Sequence, residues 1–304
     1  MAMLVLHLRA ARRRARAAAV AEALALLHDL GPSAPAGGPL SERGGVFWVE
    51  LPGRQLAAAT ARLPRLGYTT AVDLLAGVES GEARPGGAPA IRWRQRRWRL
   101  VRLHEEDAAG HREQAPDRRV FLFPAGGGPA RPVRGYRGGA DPLARRGLPV
   151  CDARLLVNLV APAGPGLLLD PFAGVGGVAL AAMAAGWTTV TADLDPALGH
   201  GLGRLGGAHL VADARSLPLR AGAVDAVATE PPYDRGVGPL ADQALAELHR
   251  LLRPGGAVAL LCADWQAAGL RATGAALGLR VALDCPVDRK GVAVVALAWR
   301  KPPA

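Results

Sequence analysis

The sequence predicts an α/β protein: a doubly wound sheet fills the second half, and a smaller α/β unit precedes it. Three observations carry this expectation. Short apolar runs alternate with helical segments from Leu167 onward. The first of these runs ends Leu-Leu-Leu-Asp170-Pro171-Phe172-Ala-Gly174-Val-Gly176-Gly177, the strand, acid, glycine turn and helix start from which open α/β sheets build nucleotide sites. The positive charge, finally, is concentrated in the first half of the chain, which marks the two halves as different in kind.

Taken in order, residues 3–8 read as a strand and residues 12–30 as a helix, which Gly31 and Pro32 stop. After a Gly/Pro/Ser loop, residues 45–51 read as a second strand and 55–66 as an amphipathic helix. Residues 81–89 are linker-like. Residues 91–103 then pack Arg92, Arg94, Arg96, Arg97, Arg99 and Arg102 around Trp93 and Trp98. Guanidinium groups beside indoles suit phosphate contact and base stacking, and Arg92, Trp93, Arg94, Arg96 and Arg97 are the candidate RNA contacts. The same pattern also fits an edge strand with core-facing tryptophans and solvated arginines. Residues 124–139 are dense in Gly and Pro, so the boundary is placed near residue 140, dividing a basic unit of residues 1–140 from a second unit of residues 141–304.

In that second unit, strands are expected at residues 167–170, 188–193, 209–212, 224–229, 256–262 and 292–299. Helices at 176–185, 196–205 and 240–252 separate several of them, in the order of a parallel doubly wound sheet. The longest uncharged run, residues 171–192, contains Pro171, Gly174, Gly176, Gly177 and Gly186, so it reads as loop, helix and strand and no membrane span is expected. Three scattered cysteines without a C-x-x-C pair indicate neither a disulfide framework nor a metal site, and imply a reducing, cytoplasmic setting. The arginines at 12, 13, 14 and 16 follow the N-terminal apolar stretch instead of preceding it, which argues against a secretory signal; an Arg-rich, acid-poor start is also what an organellar transit peptide shows.

The net charge of +11 is unevenly placed: residues 1–160 hold 25 Lys+Arg against 14 Asp+Glu, and residues 161–304 hold 12 against 12. A neutral half joined to a basic half suits a polyanionic substrate. Only Lys290 and Lys301 are lysines, so a coding bias toward arginine is the competing explanation, although such a bias would not spare the second half.

The chemistry-bearing residues sit at expected strand ends. Asp170 closes the first strand, and Gly174 and Gly176 let the backbone approach a ligand while the next helix offers its N-terminal amides. Asp193, followed by Leu194, ends the second strand, where an acid can grip both hydroxyls of a ribose; Asp195 competes for that role. Asp213, followed by Ala214, comes after the third strand, where a carboxylate can accept from an adenine amine. Each acid taken singly could equally cap a helix, but three at successive strand ends favour a nucleoside cofactor. The glycine loop alone would also fit NAD or FAD. Glu230-Pro231-Pro232-Tyr233 after the fourth strand narrows the choice, because acceptors beside an aromatic ring suit a planar exocyclic amine and point to methylation of an amino group. Pro-Pro that merely stiffens a turn is the alternative.

Together, Asp170-Pro-Phe-Ala-Gly-Val-Gly-Gly, Asp193-Leu-Asp195, Asp213-Ala-Arg-Ser-Leu-Pro and Glu230-Pro-Pro-Tyr233 resemble the tRNA guanosine N2-methyltransferases acting on position ten, and more broadly the THUMP-associated class I methyltransferases. Asp152-Ala-Arg154-Leu-Leu-Val-Asn158-Leu resembles the helix preceding the first motif in that family. The resemblance spans residues 145–300 and implies a Rossmann-like class I methyltransferase fold, S-adenosylmethionine as cofactor and RNA, specifically tRNA, as partner. It implies that Asp170, Phe172, Gly174, Gly176, Asp193, Leu194, Asp213 and Ala214 contact the cofactor. Glu230 and the Pro231 carbonyl would then orient the target amine, with Pro232 shaping the turn and Tyr233 stacking on the base. Two departures stand out: the family begins its tetrapeptide with Asp or Asn where this chain has Glu230, and no THUMP domain is discernible in residues 1–140. Rival expectations are a ribosomal-RNA guanine N2-methyltransferase, a DNA or protein amino-methyltransferase, and a noncatalytic nucleic-acid-binding protein that retains the fold. Mono- versus dimethylation and the oligomeric state are left open.

Overall fold

A computed structural model of the chain describes residues 1–35, 45–77, 91–93, 96–106, 119–122, 131–134, 147–203, 205–237, 239–287, 289 and 292–304. The N-terminal half forms an antiparallel sheet of β1 (Ala2–Leu8), β2 (Val46–Leu51), β3 (Thr69–Gly77), β4 (Ile91–Trp93) and β5 (Arg96–Glu105), in the order β2-β1-β3-β5-β4. Alternation along β1 gives each face a different partner: Leu4 and Leu6 join Phe47 and Val49 beneath α1 (Arg16–Leu26), while Val5 joins Trp48 and Leu75 on the other face. A short helix, α2 (Leu56–Arg62), precedes β3.

Two details differ from the expected elements. The segment expected as one helix from residue 12 starts as a 3-10 turn over Ala10–Ala15 and becomes α-helical only at Arg16, because Arg12 leaves helical dihedrals (φ −132°, ψ 22°) to reach a distant carboxylate. Gly31 ends it with φ 68°. The Arg/Trp stretch at residues 91–103, for which an edge strand was the alternative reading, forms the antiparallel β4/β5 pair at the edge of the sheet, with Ile91 opposite Trp98 and Trp93 opposite Arg96. The side chains of Arg92, Trp93, Arg96 and Arg97, and all of Arg94, lie outside the described residues, as do the expected linker at 81–89 and the boundary near residue 140. The expected linker at 124–139 is corrected in part, because residues 131–134 form a strand. A further hairpin pairs β6 (Arg119–Leu122) with β7 (Arg131–Arg134).

The second half is a seven-stranded sheet of β8 (Leu167–Asp170), β9 (Thr188–Asp193), β10 (Ala208–Val211), β11 (Val224–Thr229), β12 (Leu252–Ala263), β13 (Arg280–Val287) and β14 (Val294–Arg300), in the order β10-β9-β8-β11-β12-β14-β13. The first five strands are parallel, as expected. The last two correct the wholly parallel reading: β14 runs antiparallel between β12 and β13. A hairpin return from the edge strand β13 places β14 at an inner position, where residues Val294–Trp299 are buried. The helices are α3 (Val150–Leu159), α4 (Gly177–Ala184), α5 (Pro196–Gly203), α6 (Leu240–Leu251) and α7 (Asp264–Ala276). α6 shows why such helices dock, since Ala241, Ala244, Leu245, Leu248 and Leu251 fall on one stripe and are all buried. The uncharged run at 171–192 folds as loop, α4 and β9, and no helix among the described residues is long and apolar enough to cross a membrane.

α3 ties the two sheets together. A single buried cluster runs from Leu6 and Ala19 through Leu156 and Leu180 to Ala259. Polar groups reinforce it: buried Glu22 on α1 accepts hydrogen bonds from the Gly67 and Tyr68 amides and from Asn158 Nδ2 on α3. Backbone contact is so close here that a Cβ on Gly67 would lie 2.2 Å from the Cys151 carbonyl oxygen.

Candidate active site

The order in which successive strands are added reverses at β8, which lies between β9 and β11, and ligands of such sheets bind outside the carboxyl ends of the strands at that point. A cleft of about 400 Å³ opens there, within the range of small-ligand sites. Its walls bring together Phe172, Gly174, Asp193, Leu194, Asp213, Ala214, Glu230, Pro231, Pro232 and Tyr233, with Pro171, Ala212, Arg215 and Leu240. Of the twelve expected cofactor and catalytic positions only Asp170 and Gly176 are set back. Asp170 borders a small adjoining cavity shared with Phe172 and Glu230, and Gly176 is the residue from which α4 starts.

Each wall has a local cause. Gly174 (φ 51°) and Gly176 (φ 83°) take left-handed backbone that side chains disfavour, and the turn they make points the Gly174 amide at Asp193 Oδ2, 2.9 Å away. Asp193 Oδ1 accepts from the Asp195 amide at 3.0 Å, so its carboxylate is aimed from two sides. Asp195 Oδ1 accepts from the Ala197 amide at 2.9 Å at the start of α5. The two acids are thus placed differently: Asp193 lines the cleft and Asp195 caps a helix. Asp213 lies across the cleft and is chelated by Arg215, whose Nη2 donates at 2.6 Å and Nε at 3.0 Å, hydrogen bonds that hold the Asp213 carboxyl below its ordinary range.

Asp170 is a strongly perturbed acid. It is 1% exposed, accepts from Thr229 Oγ1 at 2.7 Å, and has its pKa pushed up to about 7 by burial, with Asp193 and Glu230 adding like-charge repulsion.

The Glu230-Pro-Pro-Tyr233 end is more elaborate than its sequence suggests. Glu230 Oε1 accepts hydrogen bonds from Tyr233 Oη and Arg289 Nη1. Arg289 Nη1 also donates to Tyr233 Oη at 3.0 Å, and its guanidinium lies 5.9 Å from the tyrosine ring centroid. Burial opposes the Arg289 charge, but Glu230, Tyr233 and Asp152 outweigh it and raise its pKa. Burial and the Glu230 anion raise the Tyr233 pKa, keeping the phenol protonated as a donor. Gln266 Nε2 donates to the Pro232 carbonyl at 2.9 Å while its Oε1 accepts from the Ala263 amide at 2.9 Å, pinning the loop to the start of α7.

Arg289, Gln266, Arg215 and Thr229 were missed by the sequence reading. Arg215 had a signal, since an Asp-x-Arg turn lets the guanidinium fold back. Arg289 had none: it lies 59 positions from Glu230 in a segment without a motif.

Residues 169–260 match a methyltransferase domain family. With the strand order and the cleft, this defines a Rossmann-like class I methyltransferase fold, and S-adenosylmethionine is its cofactor. Among solved structures, TrmN from Thermus thermophilus aligns over 99% of this chain and 100% of its own, with 18% identity and a TM-score of 0.50, so the similarity in fold extends through both halves. The 1,6-didemethyltoxoflavin-N1-methyltransferase of Burkholderia thailandensis aligns over 50% of this chain and 78% of its own, with 17% identity and a TM-score of 0.41. For the geranyl diphosphate C-methyltransferase of Streptomyces coelicolor A3(2) the shares are 52% and 77%, with 16% identity and a TM-score of 0.43. No curated protein matches the chain.

The donor set fits the cofactor. Asp193 offers acceptors for ribose hydroxyls and Asp213 for an adenine amine, and Phe172 and the Gly174 turn line the same cleft. When bound, S-adenosylmethionine supplies an electrophilic methyl group.

Proposed function

We propose that the protein methylates an exocyclic amino group of a nucleobase in RNA, with N2 of a guanosine in tRNA as the specific target. The observation that carries this reading is that Glu230, Pro231, Pro232 and Tyr233 line the same cleft as Asp193 and Asp213, as an amine-binding end beside a nucleoside-binding end would require. An aromatic amine is a poor nucleophile because its lone pair is delocalised, so alignment supplies much of the rate. Glu230 Oε1 is taken by Tyr233 and Arg289, whereas Oε2 has no hydrogen bond among the described residues and is available to the amine. The Pro231 carbonyl is the second acceptor. The free Oε2 faces the donor edge of guanine, where N1–H and N2–H lie side by side, a donor pair adenine lacks. The basic first half supplies the phosphate contacts, through Arg92, Trp93, Arg94, Arg96 and Arg97 among others.

The test is methyl transfer from labelled cofactor to unmodified RNA, followed by nucleoside mass spectrometry. N2-methylguanosine is expected, and label in protein or DNA alone would refute the reading. Glu230→Ala should lower turnover on the order of 10²-fold while Glu230→Gln, which keeps a carbonyl acceptor, loses less. A second reading, a noncatalytic RNA-binding protein, is favoured by one observation: the Glu230 carboxylate is already engaged by an arginine. Tight RNA and cofactor binding without transfer to any RNA would establish it.

A further inference from the structure

Arg289 belongs to a buried chain of charges that crosses from one sheet to the other. Its side chain is 5% exposed and sits between two carboxylates, Glu230 on one side and Asp152 on the other, with Nε 3.6 Å from Asp152 Oδ2. Asp152 is on α3 and fully buried; beside the neighbouring Cys151 thiol, which donates to Oδ1 at 3.6 Å, it is held by partners from the N-terminal half. Arg12 donates to it from Nη2 at 2.9 Å to each oxygen and from Nε at 3.1 Å, and Tyr68 Oη donates at 2.9 Å. Arg12 in turn lies 5.5 Å from the Tyr68 ring centroid. The order is therefore Arg12 and Tyr68, Asp152, Arg289, Glu230 and Tyr233. Two arginines alternate with two carboxylates, so each buried charge faces opposite charges, the condition under which a buried ionic network is tolerated.

We propose that Arg289 is the positioning residue of the amine-binding end: it locks Glu230 and Tyr233 into one unit, and is itself held in place from the N-terminal half through Asp152. The proposal rests on the reading that Glu230 receives the acceptor amine. Its physical basis is the extra methylene of a glutamate, which adds a rotatable bond between backbone and carboxylate. An unrestrained glutamate would sample several rotamers, and ordering it would cost part of the alignment on which the reaction depends. Arg289 removes that freedom by fixing Oε1, leaving Oε2 to the acceptor. A planar guanidinium can bridge two carboxylates and a phenol at once, which a lysine ammonium on a flexible stem cannot do with the same directionality. Because the anchor of Arg289 is shared with Arg12 and Tyr68, the geometry of the catalytic loop depends on how the N-terminal half sits on α3. That half thereby acts on the reaction as well as supplying positive charge.

The experiment uses the full chain in four forms, wild type, Arg289→Met, Glu230→Gln and the double variant, with Arg289→Lys and Tyr68→Phe as gentler companions. Urea unfolding is read first, because it needs no substrate. Arg289→Met should lower the folding equilibrium constant at least tenfold in the wild-type background and by at least fivefold less in the Glu230→Gln background. Equal losses in the two backgrounds overturn the lock. Methyl transfer to RNA is read second. Arg289→Met should lower kcat on the order of 10²-fold with the calorimetric Kd for S-adenosylmethionine unchanged, and should add little to the loss in Glu230→Gln. Arg289→Lys should recover only part. Tyr68→Phe, which removes one hydroxyl and no bulk, should lower kcat threefold or more at unchanged cofactor affinity. Wild-type kcat in Arg289→Met overturns the positioning role, and wild-type kcat in Tyr68→Phe overturns the anchoring from the N-terminal half. If the wild type transfers methyl groups to no RNA, the proposed function falls, and the unfolding cycle still decides whether Arg289 and Glu230 are coupled.

Discussion

Replacing Asp170 with Asn should make the protein less sensitive to rising pH, by an amount that follows from where Asp170 sits. The carboxyl ends β8 inside the sheet, with hydrogen bonds from Thr229 Oγ1 and from the Phe172 amide and two further acids, Asp193 and Glu230, acting on it. Its folded-state pKa of about 7 exceeds the value of 3.8 for an exposed aspartate. The folded state therefore holds this proton more tightly than the unfolded chain. The associated stability is fully present below pH 3.8 and is lost as pH rises through 7. Over the whole window the loss amounts to roughly 4 kcal/mol, of which about 3 kcal/mol falls between pH 5 and pH 8. Asparagine matches the shape and keeps an acceptor for Thr229, but does not titrate. The melting temperature of Asp170→Asn minus that of the wild type should thus increase by roughly 6 to 12 °C between pH 5 and pH 8, at 2 to 4 °C per kcal/mol. Differential scanning fluorimetry at several pH values, without cofactor, measures this directly. The difference isolates one group, since acids whose pKa is lowered, such as Asp225 and Asp284, contribute equally to both proteins. A melting difference independent of pH would show that Asp170 is ionised in the folded protein at all these values and would refute the reasoning.

Further outcomes are expected at other positions. Asp193→Ala should weaken S-adenosylmethionine by ~1 to 3 kcal/mol, the usual cost of leaving buried polar groups unpaired, with calorimetry as the check and unchanged affinity as the contrary result. Gly67→Ala should destabilise the protein by more than ~2 kcal/mol in urea unfolding, because its Cβ would fall 2.2 Å from the Cys151 carbonyl and push the N-terminal sheet off α3. The thiols of Cys151 and Cys262 are pushed up to about 12 by burial, so neither should react with a thiolate-directed reagent in the native protein at pH 8. Labelling of either at the rate of a free thiol would contradict the packing described.

The parallel strands and the three strand-end acids were legible because their signals are local. A buried parallel strand is a short continuous apolar run, an acid at its end stands out against it, and glycines at 174 and 176 announce the turn. β3, β13 and α7 escaped notice for the complementary reason. β13 is an edge strand with its first three residues exposed, so it lacks the apolar run, and α7 is rich in alanine and glycine and carries little periodicity. The direction of β14 could not be read either, since an apolar strand reads the same whether its neighbours run with it or against it.

What the amino-acid sequence by itself determined is most of the residues that meet at the cleft, because in a doubly wound sheet the parallel strands deliver their C-terminal ends to the same edge. The tertiary structure alone decided how those residues are held. Asp193 was distinguished from Asp195 by which carboxylate received the Gly174 amide, Asp213 was found chelated by Arg215, and Glu230 was found locked by Arg289. Tyr68 and Arg12, which hold Asp152, lie 84 and 140 positions away from it in the chain. Ion pairs of that kind are set by the docking of α1 and the N-terminal sheet against α3, a packing event that leaves no periodicity and no motif in the residues it joins.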